Sequence, residues 1–143
     1  MEWYKAGIET SQCHKVPLQD GREILVRMGQ YGRQGVVLTD LYLEDLLNAT
    51  GTLMVEEKSP FFTVLDNAGT CDRGHELTRA FIEKVEFAGS VISVAASFGQ
   101  SKPGDAQPCS PPVKSYHLDF VFDGHDYKPT AASAETVRLF GSQ

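Results

Sequence analysis

The chain has 143 residues and a net charge of −6, with 41% hydrophobic and 22% charged residues. This length and composition are typical of a globular protein and exclude disorder along the whole chain, so we predict a single domain over residues 1–143. The acidic balance and the lack of a Lys/Arg cluster argue against nucleic acid as a partner. No apolar run is long enough to cross a membrane.

The cysteines, Cys13, Cys71 and Cys109, are odd in number and widely spaced. Such a set is not typical of a disulfide framework, so we expect reduced thiols. The N-terminal segment "MEWYKAG" lacks the basic start and apolar core of a secretory signal. Together these features predict a cytoplasmic protein.

Strand patterns open the chain. "WYKAGI" is predicted as a first strand, and Asp20-Gly21 as a tight turn because both positions tolerate positive φ. That turn places Pro17 opposite Ile24, and a proline there favours an edge strand before the turn. After the turn, apolar residues recur at every second position: Ile24, Val26 and Met28.

The segment "GQYGRQG", residues 29–35, is predicted as a glycine-rich turn. Glycines let a backbone approach a phosphate, and Arg27 and Arg33 stand beside them, so anion binding is the alternative. The segment joins two strands and lacks the Lys-Ser/Thr ending of a phosphate-binding loop, which favours a flexible turn.

A first helix is predicted for "TDLYLEDLLNATG". Thr39 or Asp40 can cap its start, Gly51 can end it, and three leucines share one helical face: Leu43, Leu46 and Leu47. The next stretch, "TLMVEEKSPFFTVLD", is predicted as two short strands around a turn.

A second helix is predicted from Asp72 to Gly89, because apolar residues recur there at helical spacing. The alternative begins a strand at Glu83 and makes "VEFAGSVISV" a hairpin; we favour the helix. The residues at helical spacing are Leu77, Ala80, Phe81, Val85 and Ala88.

"SVISVAASF" is predicted as a strand with an apolar face and a second face that is small and nearly uncharged. The second face can pack under a helix or against another subunit, and it comprises Val91, Ser93, Ala95 and Ser97. Residues 99–114 hold four of the seven prolines, so a mobile surface loop is predicted there.

The segment "YHLDFVFDGHDYKPT" predicts a hairpin with a two-residue turn at Asp123-Gly124. This register places Phe120 opposite Tyr127 on an apolar face, and Asp119 opposite Lys128 on a polar face. The tail "ASAETVRLFG" is predicted as a short helix held by Val137 and Phe140.

These elements predict an α+β fold, with a mainly antiparallel and possibly curved sheet of about six to eight strands packed with two or three helices. The predicted core comprises Trp3, Ile24, Val26, Leu43, Leu46, Leu47, Val55, Phe62, Val64, Leu77, Phe81, Ile92, Val94, Leu118, Phe120 and Phe122.

The stretch "NAGTCDRGHE" brings a thiol and an imidazole together. If a helix begins at Asp72, Cys71 lies at its positive end, which favours thiolate, and His75 lies about one turn on. This is the pattern of a Cys–His nucleophile, and the same spacing suits two metal ligands. The simpler interpretation is a turn with Cys71 buried as a small apolar group. No further ligands are identifiable, so no metal site is predicted.

A second polar group is predicted on one face of the hairpin strand. His117 and Asp119 can together serve as a general base or bind a divalent cation. The simpler interpretation is a solvated outer face, because exposed alternate positions of a strand are usually polar.

The first functional hypothesis is a non-catalytic binding or accessory protein that acts through a protein-binding or self-association surface. The alternative is a small-molecule-binding protein or enzyme with a pocket against the sheet, using His117/Asp119 or Cys71/His75. No cofactor is predicted, and whether the protein is an enzyme stays open. The residues proposed to line such a pocket are Tyr31, Arg33, Phe61 and Phe87.

Overall fold

The computed structural model describes residues 10–17, 23–47, 54–57 and 59–140. The predicted strand "WYKAGI", the Asp20-Gly21 turn and the predicted helix end at Gly51 lie outside these residues. The described residues form nine strands, one α-helix and two short 3-10 turns: β1 (Thr10–Pro17), β2 (Glu23–Arg33), β3 (Val36–Leu47), β4 (Met54–Glu57), β5 (Phe62–Asp66), a 3-10 turn (Ala68–Thr70), β6 (Leu77–Ala88), β7 (Val91–Ser101), β8 (Lys114–Phe122), β9 (Tyr127–Pro129), α1 (Ala131–Val137) and a 3-10 turn (Arg138–Phe140).

The strands form two antiparallel sheets. In the first sheet β1 pairs with β2, β2 with β3, and both β4 and β5 pair with β3. The second sheet has the order β6-β7-β8-β9. Antiparallel pairing is as predicted, but the α+β fold with two or three helices is wrong: the described chain has one short α-helix. The inner faces of the two sheets share one core, the arrangement of a β-sandwich.

The first predicted helix is wrong because β3 occupies its place. Leu41 and Leu43 are fully buried and Thr39 continues the same face, whereas Glu44, the residue after Leu43, forms an ion pair with Arg27 on the other face. Burial at every second residue is the period of a strand. The helical spacing of the leucines in this segment is therefore coincidental.

The second predicted helix is also wrong. The alternative hairpin is correct, except that its first strand begins at Leu77 and not at Glu83. Residues 72–76 are an exposed loop, β6 follows, and Ala88 pairs with Val91 across a two-residue turn. Gly89 in that turn has φ of 62°, a left-handed conformation that glycine adopts without strain. A β-bulge at Glu83 shifts the alternation of β6, so Ile82 and Val85, three residues apart, both join the core side. A spacing of three residues also fits one face of a helix, which is why the sequence pattern indicated a helix here.

The β2–β3 turn is shorter than predicted, and the β1 register differs by one residue. β2 runs on to Arg33, so most of "GQYGRQG" is strand and only Gln34 and Gly35 form the turn. Val16, not Pro17, pairs with Ile24. The edge position predicted for the arm before the first turn is confirmed, because β1 ends the first sheet among the described strands.

The β8–β9 hairpin has a four-residue loop instead of the predicted two-residue turn. Phe122 pairs with Tyr127, so the register differs by two residues from the predicted one. The Asp123 carboxylate accepts backbone N–H groups of His125 and Asp126, which stabilises the longer loop. A shift of two preserves the faces, and Phe120 is fully buried as predicted.

Most of the described core matches the prediction. Phe81 and Phe122 are only half-buried, and the structure places Leu46 and Leu47 in β3 and Val55 in β4 without describing their side chains. The predicted C-terminal helix is confirmed, and its last turn inserts a fully buried Phe140 between the sheets. Trp3 lies outside the described residues. Core residues that the sequence analysis omitted are Val16, Leu41, Ala68, Ala80, Ala96, Tyr127 and Phe140.

The expectation of reduced thiols is wrong for two cysteines. Cys71 and Cys109 form a disulfide with a Cα–Cα distance of 4.8 Å. The bond joins the loop before β6 to the proline-rich segment, which spans residues 102–113 in the structure. This segment has further anchors: the Ser101 hydroxyl donates to the Pro108 carbonyl at 2.6 Å, and the Pro112 carbonyl lies where a Cβ at Gly99 would stand.

Removal of the disulfide is predicted to destabilise the fold. The bond closes a loop with a sequence separation of 38, and a cross-link of this kind is worth about 2–4 kcal/mol. The double variant Cys71→Ser/Cys109→Ser should lose that amount of unfolding free energy, measured by urea denaturation. Reductant should lower the stability of the unmodified protein to the same level and leave the variant unchanged. Equal stability of the variant and the oxidised protein would contradict the bond's contribution.

The core also contains a buried hydroxyl whose removal is predicted to stabilise the fold. Tyr127 is 3% exposed, its hydroxyl has no hydrogen-bond partner among the described residues, and burial raises its pKa to about 12. An unpaired buried hydroxyl costs about 1–3 kcal/mol. Tyr127→Phe should therefore raise the free energy of unfolding, by about 1 kcal/mol, in the same denaturation assay. A loss of stability would show that the hydroxyl is bonded in solution.

Candidate functional site

A cleft opens between β6 and the first sheet. β6 begins beside β5, where Asn67 and Thr78 exchange hydrogen bonds, and ends beside β1, where Phe87 stacks on His14. β6 therefore runs across the inner face of the first sheet. In the described part of the chain it pairs only with β7, so one of its sides stays open. The cleft along this strand has a volume of about 430 Å³ and is lined by His14, Val26, Met28, Leu41, Ile82, Glu83, Lys84, Val85 and Phe87.

The floor and walls of the cleft are apolar. Val26 and Leu41 are buried at its floor. Four half-buried side chains, which also pack against the core, form the walls: Met28, Ile82, Val85 and Phe87. Small-molecule sites usually measure about 300–1,000 Å³ and combine an apolar lining with a few polar groups. The cleft matches this description in size, while polar and apolar atoms contribute about equally to its accessible lining.

An aromatic stack closes the end of the cleft at β1. The rings of His14 and Phe87 are nearly parallel, at 10°, with centroids 3.7 Å apart. The contact joins the exposed His14 to the half-buried Phe87 and ties the two sheets together at this point. It also leaves an imidazole at the mouth, where its nitrogens can donate or accept hydrogen bonds.

The β-bulge makes two charged residues of β6 part of the cleft lining. Ile82 pairs with Ala96 and Lys84 with Ala95, so Glu83 is the extra residue of β6. Bulges re-aim side chains in this way at sheet edges. Glu83 and Lys84 are exposed and both line the cleft.

The Glu83 carboxylate is held by the second sheet. Its Oε1 accepts hydrogen bonds from the hydroxyls of Ser97 at 2.6 Å and Ser115 at 2.9 Å. These two bonds, the Ser97 bond more strongly, lower the pKa of Glu83 below its usual value. Glu83 is therefore a fixed anion whose hydrogen-bonding capacity is partly used on the outer face, the face of the second sheet turned away from the core.

The predicted pair His117 and Asp119 lies on the same outer face and not in the cleft. His117 Nε2 is 2.9 Å from Asp119 Oδ1, the same oxygen that accepts a 2.7 Å hydrogen bond from the Ser93 hydroxyl. The Ser93 bond is the main cause that lowers the pKa of Asp119, and His117 adds to it. The His117 side chain is 67% exposed. The serine bonds to the carboxylate rather than to the imidazole, so the three groups lack the order of a nucleophile, a base and an orienting acid.

The predicted pair Cys71 and His75 is not assembled as a thiolate and base. Cys71 is bonded to Cys109, while His75 is 76% exposed with its Nε2 3.5 Å from Asp72 Oδ2. A disulfide sulfur cannot act as the attacking thiolate. Within the described ranges, no group of three or more His, Cys, Asp and Glu residues is placed to hold a metal ion.

The four predicted ligand-binding residues are dispersed over the molecule. Phe87 lines the cleft, whereas Phe61 packs near Phe120 and Tyr127 with ring centroids 5.3 and 5.2 Å away. Tyr31 lies on β2 with its hydroxyl 3.5 Å from an Asp40 oxygen, and Arg33 is exposed at the end of that strand. Only Phe87 of this set belongs to the cleft.

Sequence reasoning missed most of the cleft. Its lining comes from β1, β2, β3 and β6, which are distant in sequence, and Glu83 and Lys84 reach it through a bulge. The available signal was the alternative hairpin, which places Val85 and Phe87 on one strand. Even that hairpin does not reveal which part of the first sheet lies opposite.

Comparison with protein-family models, with curated proteins and with solved structures finds no match. None of the helices in the described ranges is long and apolar enough to span a membrane.

The hydroxyl of Ser93 is predicted to control the titration of Asp119. Ser93→Ala removes the main cause of the low pKa, so the pKa of the Asp119 carboxyl should rise, measured by NMR titration of side-chain carboxyl resonances. Because a depressed pKa stabilises the fold above the unfolded value and that contribution fades as pH falls through the folded value, acid unfolding of the variant should begin at higher pH. Ser97→Ala is the matched control, which should raise the pKa of Glu83 and leave Asp119 unchanged.

Proposed function

We propose that this protein is a non-catalytic binding protein that holds a small, largely apolar organic molecule in the cleft between β6 and the first sheet. The observation that carries the proposal is the row of half-buried side chains along a 430 Å³ cleft, namely Met28, Ile82, Val85 and Phe87. Filling the cleft would remove their exposed apolar surface from water, at about 25 cal/mol per Å².

The cleft is preferred to the small face of β7 that the sequence suggested as a self-association surface. In that face Ser93 is bonded to Asp119, and Ser97 is covered by Glu83. A partner on this face would have to desolvate two carboxylates, which is unfavourable without compensating cations. A ligand that lies along the apolar walls of the cleft need not displace the hydrogen bonds of these two carboxylates.

We propose no catalytic reaction in the cleft. The polar residues that line the cleft are His14, Glu83 and Lys84, and Glu83 is engaged by two serine hydroxyls. Nucleophilic catalysis needs a nucleophile beside a base that activates it. His117 and Asp119 have acid–base character but do not line the cleft.

The disulfide indicates the kind of cellular compartment in which the protein functions. Disulfides persist mainly in oxidising compartments and are rare in the cytosol. The Cys71–Cys109 bond therefore favours an extracytoplasmic or otherwise oxidising location over the cytoplasm that the sequence suggested. We include such a location in the proposal.

Binding can be tested with Nile red, a neutral dye whose fluorescence rises in apolar surroundings. Val85→Gln places a polar group in the cleft wall, and Val85→Phe fills the cleft without adding polarity. Each should raise the dye's Kd by about tenfold, because either change removes favourable apolar burial of the ligand. Using both keeps the test valid if one variant folds poorly, and the melting temperature of each is recorded.

Val121 provides the matched control. It is also a valine on a strand, is 37% exposed and lies on β8 away from the cleft. Val121→Gln and Val121→Phe should leave the dye's affinity unchanged. If folded Val85 variants bind Nile red as tightly as the unmodified protein, or if the dye does not bind at all, the proposed function is wrong.

A further inference from the structure

We propose that the open edge of β6 accepts an extended peptide as an additional antiparallel strand, with apolar side chains in the cleft and basic side chains on the outer face. This inference rests on the proposed function and deepens it, because it names a peptide as the class of ligand. It depends on the backbone of β6, on the side chains that face the cleft and on the charges beside the open edge.

The backbone groups of β6 point alternately to β7 and to the open edge. Near the start of the strand, the N–H and C=O groups of Thr78 bond to Asn67, and the N–H group of Ala80 bonds to a carboxylate of the first sheet, that of Asp66. These groups therefore point away from β7. In an antiparallel pair every second residue does so, and Ile82 is the next of this set.

The bulge shifts this alternation by one residue. Glu83 is the extra residue, so the backbone groups of Val85 and Phe87 point to the open edge after it. The hairpin turn gives the same result. Ala88 pairs with Val91 at a two-residue turn, where the flanking residues exchange hydrogen bonds, and the residue before them faces the opposite way.

Three residues combine open backbone groups with side chains in the cleft. Ile82, Val85 and Phe87 all line the cleft, and no hydrogen bond within the described part of the chain engages their open-edge N–H and C=O groups. Strand addition uses this combination, because main-chain bonds give affinity and pockets for alternate side chains give specificity. A small apolar molecule would leave these backbone groups to water, whereas a peptide would pair them.

The cleft lies where an added strand would place its side chains. Neighbouring strands are about 4.8 Å apart, and the cleft of about 430 Å³ extends along the open side of β6. Inward side chains of the added strand would lie over the buried Val26 and Leu41 and beside Met28. Apolar side chains are therefore expected at every second position of the peptide.

The charges beside the open edge favour a basic partner. The outer face of β6 carries two carboxylates, Glu83 and Glu86, and one ammonium, Lys84. Serine hydroxyls engage only Oε1 of Glu83 and keep this group ionised. The Glu86 side chain is 62% exposed, and its 3.5 Å contact with Lys84 contributes little. Opposite charges on neighbouring strands stabilise their pairing, so lysine or arginine is expected at the outward positions.

The experiment uses hexapeptides with both ends capped, in which two residue types alternate. Isothermal titration calorimetry at low ionic strength gives their Kd. The peptide of valine and lysine should bind and should displace Nile red from the cleft. Replacement of its lysines by glutamate should weaken binding by about fivefold. Replacement of its valines by serine should weaken binding by about tenfold or more, because the apolar burial is lost.

Methylation of the peptide backbone tests the hydrogen bonds. Peptide residues opposite Val85 and Phe87 share the face of these residues and exchange hydrogen bonds with them, so the N–H groups of the peptide's valines should point to β6. N-methylation of the valines should weaken binding by about tenfold or more. N-methylation of the lysines is the matched control and should change the Kd by less than about threefold, because those N–H groups point to water.

A variant of the protein tests the charges. Glu86→Gln should weaken the valine–lysine peptide by about threefold and should not weaken the valine–glutamate peptide. Glu135→Gln is the matched control, because Glu135 is also exposed but lies on α1. It should leave both affinities unchanged.

The outcomes separate this inference from the proposed function. If Nile red binds in the cleft but none of the peptides does, if both methylations act equally, or if the glutamate peptide binds more tightly, strand addition is wrong and the cleft remains a site for small molecules. A dimer of the unliganded protein that the valine–lysine peptide dissociates, detected by sedimentation velocity, would make a second copy the occupant and would also overturn the inference. If neither Nile red nor any peptide binds, both proposals are wrong.

Discussion

The clamp between β5 and β6 is the constraint on which the rest of the molecule depends. Asp66 accepts the backbone N–H groups of Ala68 and Ala80, at 3.1 and 3.0 Å, and Asn67 Oδ1 accepts that of Thr78 at 2.7 Å. Two consecutive side chains thus fix the start of the second sheet against the edge of the first. Half-buried hydrogen bonds of this kind are expensive to leave unmade, so they define the position of β6.

Once its start is fixed, β6 has to cross the first sheet at an angle. Each sheet has its own twist, and β6 starts beside the first sheet but pairs within the second sheet. Its direction therefore diverges from that of the first-sheet strands. The bulge at Glu83 lets β6 keep its pairing with β7 while it bends over the inner face of the first sheet. The stack of Phe87 on His14 then holds the far end. The cleft is the space that this crossing leaves uncovered along the open side of β6.

The sequence predicted those parts of the fold in which local pattern and burial agree. In the first half of β7 and the second half of β8 burial alternates with a period of two, so Ile92, Val94, Leu118 and Phe120 were identified correctly. In β3 the leucines fit both a strand and a helix, and only pairing with β2 and β5 decides between them. In β6 the bulge breaks the alternation and imitates helical spacing. Propensity and periodicity are weak guides where tertiary pairing overrides them.

The candidate site was less predictable than the fold, because residues that are distant in the sequence form it. The disulfide joins two loops whose cysteines show no recognisable spacing, and its formation removes the thiol from the predicted Cys71–His75 site. The His117–Asp119 pair was predicted on one strand face, and it is there, but the face points away from the cleft. No local pattern connects β1 with the end of β6.

The carboxylates with hydrogen-bond partners are held on the outer face of the second sheet, and this arrangement favours binding over catalysis. On the outer face the carboxylates of Glu83 and Asp119 are held by serine hydroxyls, so their ionisation is settled and their oxygens are engaged. On the inner side the cleft combines apolar side chains of β2, β3 and β6 with the polar residues His14, Glu83 and Lys84. A catalytic site needs perturbed acids or bases that meet a reacting atom in a site from which water is excluded. His14, Glu83 and Lys84 line the open cleft, but the Glu83 carboxylate is bonded to Ser97 and Ser115 and the pair His117–Asp119 lies on the outer face. The cleft can therefore hold a ligand by its shape, while the charged outer face keeps that side of the sheet in water.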